Sequence, residues 1–406
     1  MKTPSVLFSL RYFLPGQPTE IRIHRAIMMK WYGSYPMGLG LIAAPINWFR
    51  WLFRDARRVV NLYWGYCAQP TREEHRISEK TQRHQLLKLA LIDGIHPASY
   101  YKLELFKREK YANRYSSLFP EEAFAFQRAT NKPFSVSAQK RRIINNKQLF
   151  NDFIGRRNLP VVPILRAYPG DIERSKPLPR EDLFLKPRDG VGGLGADWLV
   201  FDSETGKYHS KQSERIFSAT RLELHCEGLS EQQPLILQPC LRNHAELERM
   251  IGRTLATLRV HTCYDSESCS GTVISIALKA PLPGAVTDNG TNSLFFAVER
   301  QTGEIGEGIQ LFNPLAPRSP IAPATGQPIA GAKLPDHSRV VEICKQAHAG
   351  FPEFCILGWD VALTPDGPLL LETNIGWSIE PCELVNETQL FSTDAVNQVK
   401  KALNIT

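Results

Sequence analysis

The stretch WDVALTPDGPLLLETN, from Trp359 to Asn374, constrains this chain more than any other. Two apolar, strand-prone runs flank Thr364-Pro365-Asp366-Gly367, in which Pro followed two residues later by Gly is a strong turn signal. The pattern predicts an antiparallel hairpin joined by a type I turn with a Gly bulge, so that Thr364 faces Pro368. In that register Asp360 lies directly across from Glu372, and Asn374, two residues further, shares their face. Like charges opposed on a sheet repel each other. The neighbouring runs FCILGW and PLLLE are too apolar for a hairpin whose charged face is simply wet. Two carboxylates and an amide oxygen converging there are best explained by a divalent cation, and hard oxygen donors of this kind suit Mg²⁺.

Other segments add to that site. In DLFLKPRDGVGGLGADWLVF, residues 182–201, Lys186 ends one predicted strand before a turn crowded with Gly190, Gly192, Gly193 and Gly195. It is not a Walker loop, because no Gly-Lys-Ser/Thr is present and the glycines open onto a strand. Backbone amides freed by such glycines can still close over phosphates as a lid, with Lys186 neutralising charge at its base. Gln238, in LILQPCL, sits where a strand leaves its sheet and is placed to read an adenine. Arg259, alone in the apolar run TLRVHTCYD, either pairs with a carboxylate or points at a transferring phosphoryl group. Lys279 ends a further strand, and Asn289 in VTDNG follows it towards the same site.

A length of 406 residues allows two or three domains. Charge divides them: residues 1–150 carry 25 Lys and Arg against 10 Asp and Glu, whereas residues 151–406 carry 24 against 31. The basic half, if its charge is more than a solvated face, invites an acidic partner such as lipid headgroups or a phosphorylated substrate. Residues 1–130 read as mainly helical, including one helix from a cap at Thr71 to a stop at Gly94. Upstream, NWFRWLFRDARRVVNLYWGY interleaves Trp48, Phe49, Trp51 and Phe53 with Arg50, Arg54, Arg57 and Arg58. Such a helix either packs its aromatics inward with snorkelling arginines or lies peripherally on a membrane through residues 36–60. The apolar run Pro36–Phe49 is too short to span a bilayer. Nucleic acid is not expected as a partner, since no recognition motif accompanies the basic residues.

Eight cysteines without paired C-x-x-C spacing propose no zinc site and fit reduced thiols. The expected address is cytoplasmic, with peripheral contact at the inner membrane surface as an extension. From about Asn131 the texture changes. One helix, a turn at Asn158 and a short strand VVPIL precede strand-like runs DLFLKP, ADWLVF, PLILQPCL, TLRVHTCY, GTVISIALKA, NSLFFAVE and FCILGWDVAL. The expectation is a basic helical region over 1–130, then an α+β domain with antiparallel sheet over 131–400.

Taken in order, Lys147, Lys186 with its glycines, Gln238, Arg259, Asn289, Asp360, Glu372 and Asn374 resemble the motifs of the sugar-transfer associated ATP-grasp family. That family belongs to the ATP-grasp superfamily, near the glutamate ligases of the RimK type. FLKPRDGVGGLGA, ILQPCLRNHAEL, TLRVHTCYD, ERQTGEIGEG and GWDVALTPDGPLLLETN carry the resemblance, which covers roughly residues 131–385. It implies an ATP-grasp fold, two α+β lobes with antiparallel sheets clasping ATP. It implies Lys147 and Lys186 on the phosphates, Gln238 at the adenine, and two Mg²⁺, with Mn²⁺ able to substitute, on Asp360, Glu372 and Asn374. Arg259, Lys279 and Asn289 then face the reacting groups, although related ligases tend to have Arg where Lys279 stands. The implied reaction is ADP-forming carboxylate–amine (or –alcohol) ligation through an acyl phosphate, in sugar, polysaccharide or glycoconjugate modification. Its substrates would be small molecules or glycans with a carboxylate and an amine or hydroxyl. The alternative is a phosphotransferase acting on a glycan or small-molecule hydroxyl.

Overall fold

The computed structural model describes residues 7–170, 176–190, 195–285, 291–311 and 317–405. Among the described residues, twelve strands follow in chain order: β1 (Arg166–Tyr168), β2 (Leu183–Pro187), β3 (Asp197–Asp202), β4 (Lys207–Ser210), β5 (Ile216–Phe217), β6 (Leu235–Pro239), β7 (Thr257–Asp265), β8 (Ser270–Pro281), β9 (Ser293–Val298), β10 (Ile305–Ile309), β11 (Ile356–Thr364) and β12 (Gly367–Asn374). They form two six-stranded sheets, ordered β1-β6-β2-β3-β4-β5 and β10-β9-β8-β7-β11-β12. Every strand pairing within them is antiparallel. With a mainly helical region before them, this is the α+β architecture that the sequence predicts.

The seven apolar runs all become strands. The short strands β4, β5 and β10 (KYHS, IF and IGEGI) have too few alternating apolar residues to announce themselves. VVPIL, by contrast, is not a strand. Val161 makes one parallel bridge to Leu370, and β1 begins only at Arg166. Pro160 and Pro163 deny this segment the amides that a ladder requires. The single helix expected before Asn158 is two, Phe134–Ile144 and Lys147–Gly155. Asn146 starts the second, its Oδ1 accepting the Leu149 amide at 2.9 Å.

In the helical region, helix Gly40–Arg50 runs through a π turn at Trp51–Asp55 into Ala56–His75. Thr71 is therefore inside a helix, fully buried, and not a cap. The break comes at Arg76, which turns left-handed at φ 51°, and the cap is Ser78, whose Oγ accepts the Thr81 amide at 3.1 Å. Gly94 does end this stretch, at φ 69° and with its Cα packed so closely that a Cβ would lie 2.1 Å from the Phe8 carbonyl oxygen.

Alternation along the second sheet explains how its middle strands bury both faces. Leu357, Trp359, Val361 and Leu363 of β11 pack with Leu258 and Val260 of β7 and with Val340, Cys344 and Ala347 of helix His337–His348. On the other face, Ile356 and Cys263 join Ile274 in a core built mainly from the first helices, through Ile23, Ile27, Tyr101 and Phe126. The last helix, Ala395–Leu403, completes that core with Ala395, Val399 and Leu403. Lys30 clips it in place, donating from Nζ to the carbonyls of Ala402 (2.8 Å) and Ala129 (3.1 Å). All eight cysteines are free thiols.

Candidate functional site

A cavity of about 1160 Å³ lies between the sheets, walled by β2 and β6 on one side and by β7, β8, β11 and β12 on the other. Lys147, Lys186, Gly190, Gln238, Arg259, Lys279, Asp360, Glu372 and Asn374 all line it. Gly192, Gly193 and Asn289 lie outside the described residues.

The acidic pair forms as predicted, by another route. Asp360 pairs with Glu372 and Gly358 with Asn374, but Thr364 pairs with Gly367 rather than Pro368. The turn has only Pro365 and Asp366 at its tip, and the extra residue is not at the turn but at Leu371, where the register shifts. This bulge places Leu371 and Glu372 consecutively on the cavity wall. Without it, strand alternation would send Glu372 to the face opposite Asp360.

Across the sheet, Arg259 of β7 is the partner of Asp360 on its other side. Its Nη2 donates to Asp360 Oδ2 at 3.3 Å, while Nε stands 3.0 Å from Oδ1 but too poorly aligned to hydrogen-bond. Lys279 Nζ reaches the same Oδ1 at 3.5 Å. Burial alone would raise the Asp360 carboxyl, yet Arg259 and Lys279 more than offset it and hold the group below the ordinary range. Arg259 thus pairs with a carboxylate and also faces the cavity.

On the Gly-rich side, Lys147 Nζ donates to the Gly190 carbonyl at 2.6 Å and stands 3.5 Å from Glu372 Oε2. Asn146 adds a hydrogen bond to Asp189 Oδ1 at 2.7 Å, fastening the helix start to the base of the turn. Desolvation lowers the Lys186 ammonium to about 8; Lys147 nearby adds to the drop, and Glu372 and Asp360 oppose it. A crowded ammonium of this kind gains when anionic oxygens enter the cleft. Gln238 is buried and donates from Nε2 to the Val162 carbonyl at 3.2 Å.

Asp360, Glu372 and Asn374 present two carboxylates and one amide within a single wall, with Asn374 Nδ2 at 3.4 Å from Glu372 Oε1. This oxygen-rich set matches what a hard divalent cation takes from protein, leaving its other positions for phosphate and water. The set therefore fits Mg²⁺.

Two contributors were not singled out from the sequence. Asn243 is buried and makes three hydrogen bonds of 2.9 Å, from Nδ2 to the Gly252 and Thr254 carbonyls and from the Ala256 amide to its Oδ1. It holds the loop that brings Arg242 and Arg253 to the cavity wall. Nothing in LRNHAEL distinguishes this Asn from a surface one. His261, two residues beyond Arg259, is fully buried, and burial together with Arg259 pushes it down to about 3. It is a neutral floor behind the site, hydrogen-bonded to Ser275 Oγ at 2.7 Å; strand period from Arg259 was the available signal.

A family model described as sugar-transfer associated ATP-grasp matches residues 127–401. Comparison with curated proteins finds no match. Among solved structures, biotin carboxylase from Campylobacter jejuni is similar at 11% identity and a TM-score of 0.40, over 67% of this chain and 51% of its own. The chain thus spans about half the length of that protein. L-amino acid ligase from Bacillus licheniformis is similar at 13% identity and 0.37, over 73% of this chain and 64% of its own. The VanG D-Ala:D-Ser ligase from Enterococcus faecalis is similar at 10% and 0.38, over 64% and 62%.

Proposed function

Since the chain belongs to the sugar-transfer associated ATP-grasp family, we propose that it is an ATP-dependent ligase joining a carboxylate to an amine or hydroxyl of a sugar or glycoconjugate. The observation that carries this reading is the row Arg259, Asp360 and Glu372 on three adjacent strands, with Lys147, Lys186 and Lys279 around it in one cavity. Such a site binds a polyphosphate and offsets the charge that spreads over a phosphoryl group in transfer.

In this reading ATP lies between the sheets, with its phosphates towards Lys147 and Lys186 and its adenine towards Gln238. Asp360, Glu372 and Asn374 would hold Mg²⁺, which when bound supplies further neutralisation of the phosphate oxygens. Arg259, already oriented by Asp360, steadies the transferring group without reorganising. A substrate carboxylate oxygen attacks the γ-phosphorus in line, the bond to the β,γ-bridging oxygen breaks, and ADP leaves with that electron pair. The acceptor nitrogen or oxygen then attacks the acyl carbon, loses its proton, and expels inorganic phosphate. Lys279, which lines the cavity, would face this second step, and the family resemblance assigns Asn289 to it as well. The Gly-rich segment after Lys186, read from the sequence as a lid, would keep water from the acyl phosphate.

The test is a nucleotide balance: ATP, Mg²⁺ and pooled carboxylates with sugar amines and alcohols, scored for ADP and free phosphate together. Equal release of both, requiring a carboxylate and an acceptor, is the expected result. ADP without free phosphate would mean that the phosphoryl group stays on the acceptor, and the ligase reading would give way to a phosphotransferase.

A further inference from the structure

The helix that begins at Gly40 is apolar on two faces. Inward, Trp51, Ala56 and Val60 are buried, and Trp51 Nε1 donates to the Ala90 carbonyl at 2.6 Å. Outward, Ile42, Ile46, Phe49 and Phe53 recur at helical spacing and are all exposed, Phe53 by 77%, with Leu41 at 84% and Met37 at 93% just before them. The aromatic-and-arginine segment is therefore split: Trp51 belongs to the core while Phe49 and Phe53 stand in solvent.

A chain of rings extends this face to the N-terminal segment. Phe53 stacks on Phe49 at 6.1 Å, Phe49 meets Trp48 at 5.3 Å, Trp48 meets Phe8 at 4.9 Å, and Phe8 meets Phe13 at 5.1 Å. Phe13 is thereby joined to this face, and Leu10 and Leu14, its neighbours in the chain, are exposed beside it. A contiguous apolar surface of this kind marks an interaction site rather than scattered exposure.

The charge around the patch selects the occupant. Arg50, Arg54, Arg57 and Arg58 are exposed along its flank, and Asp55 is the one acid between residues 36 and 62. Asp55 is itself taken up by Arg50 at 3.0 Å and Arg54 at 2.8 Å. A second copy of the chain meeting face to face would set these arginines against each other. An anionic bilayer would instead receive the apolar side chains at the acyl boundary while long arginine stems keep their guanidinium groups at phosphate level. Among the described residues no helix is long and apolar enough to cross a membrane, so the helix would lie on the surface. We propose that the face formed by Met37–Phe53 and Leu10–Leu14 docks this protein peripherally on an anionic lipid bilayer. This inference stands on the helical region alone, apart from the reaction proposed above.

The experiment is sedimentation of the full-length protein with phosphatidylcholine vesicles, with and without phosphatidylglycerol. The wild type should partition onto the anionic vesicles, less at high salt, and poorly onto neutral ones. A Phe49→Ser, Phe53→Ser double variant and, separately, an Arg54→Glu, Arg57→Glu double variant should each weaken partition by about tenfold or more. Both should melt close to the wild type, because none of these side chains belongs to the buried core. Equal sedimentation of wild type and variants, no preference for phosphatidylglycerol, or no vesicle binding would each overturn the proposal. So would light scattering that finds a wild-type dimer which the phenylalanine variant converts to monomer.

Discussion

Asp360 and Glu372 are neighbours on two strands, but their surroundings differ. Asp360 is buried against Arg259 and Lys279, whereas Glu372 is half-buried with Lys147 as its near cation. Glu372→Gln should leave the fold intact and, on the function proposed, lower ATP turnover by at least about a hundredfold. Asp360→Asn should lose turnover and also about 3–5 kcal/mol of stability, because it removes the carboxylate paired with the part-buried Arg259. Steady-state rates and urea unfolding of both variants separate these outcomes; equal stability loss would refute the distinction. A third carboxyl, Glu383, serves structure. Its Oε1 accepts the amides of Leu118 (3.0 Å) and Leu390 (2.8 Å), and burial pushes the group up to about 8 against the pull of those amides. The folded chain then holds this proton to higher pH than the unfolded chain, whose carboxyl titrates near the ordinary 4.5. Stability from this group is full below about pH 4.5, falls as pH rises to about 8, and then levels off. Glu383→Gln should remove that slope, leaving the variant more stable than the wild type at high pH by on the order of a few kcal/mol relative to their difference at low pH. Urea midpoints across this pH range would show it, and parallel curves would exclude it.

Individual elements followed their sequence signals most closely where several signals agreed. The hairpin was legible from Pro365, Gly367 and the apolar runs on either side, whereas the pairing of Asp360 with Glu372 was reached through a bulge at the turn that the structure has at Leu371 instead. The bulge at Leu371 was not legible, because no local residue preference distinguishes PLLLE with a bulge from PLLLE without one. The ladder inserts the extra residue where both acids can face the cavity. The helix ending at Gly94 was similarly half-read: its stop was visible, but its start was placed at Thr71, whereas Ser78 is the cap. Tertiary packing put Thr71 into the core, where its hydroxyl has no hydrogen-bond partner. Ser78→Ala should therefore cost about 1 kcal/mol, while Thr71→Val should cost nothing or slightly stabilise. Chemical denaturation of the two variants checks this, and the reverse order would contradict the assignment of the cap.

For the whole molecule, the shared core is the decisive feature. Cys263, Ile274 and Ile356 of the second sheet, the last helix and the N-terminal helices bury their side chains together. The helical region and that sheet should consequently unfold in one calorimetric transition, since neither can open without exposing the other's apolar surface. An early, separate transition assignable to the first 130 residues would count against this coupling. Val399→Ala, remote from the cavity in the last helix, should lower the midpoint of that single transition by an amount corresponding to about 1–3 kcal/mol.

The sequence by itself determined the seven apolar strands, the hairpin, the antiparallel character of the sheets and the charged and amide side chains that line the cavity, because alternation, turn residues and isolated charges in apolar runs are local facts. It also placed Asp360 opposite Glu372, although by a register that the structure replaces. Only the tertiary structure decided that Arg259 and Lys279 converge on one oxygen of Asp360, that Asn243 holds the loop bearing Arg242, and that Phe49 and Phe53 point outward while Trp51 points in. Those outcomes depend on which distant surfaces meet, and apolar periodicity identifies a face that must be covered without naming what covers it.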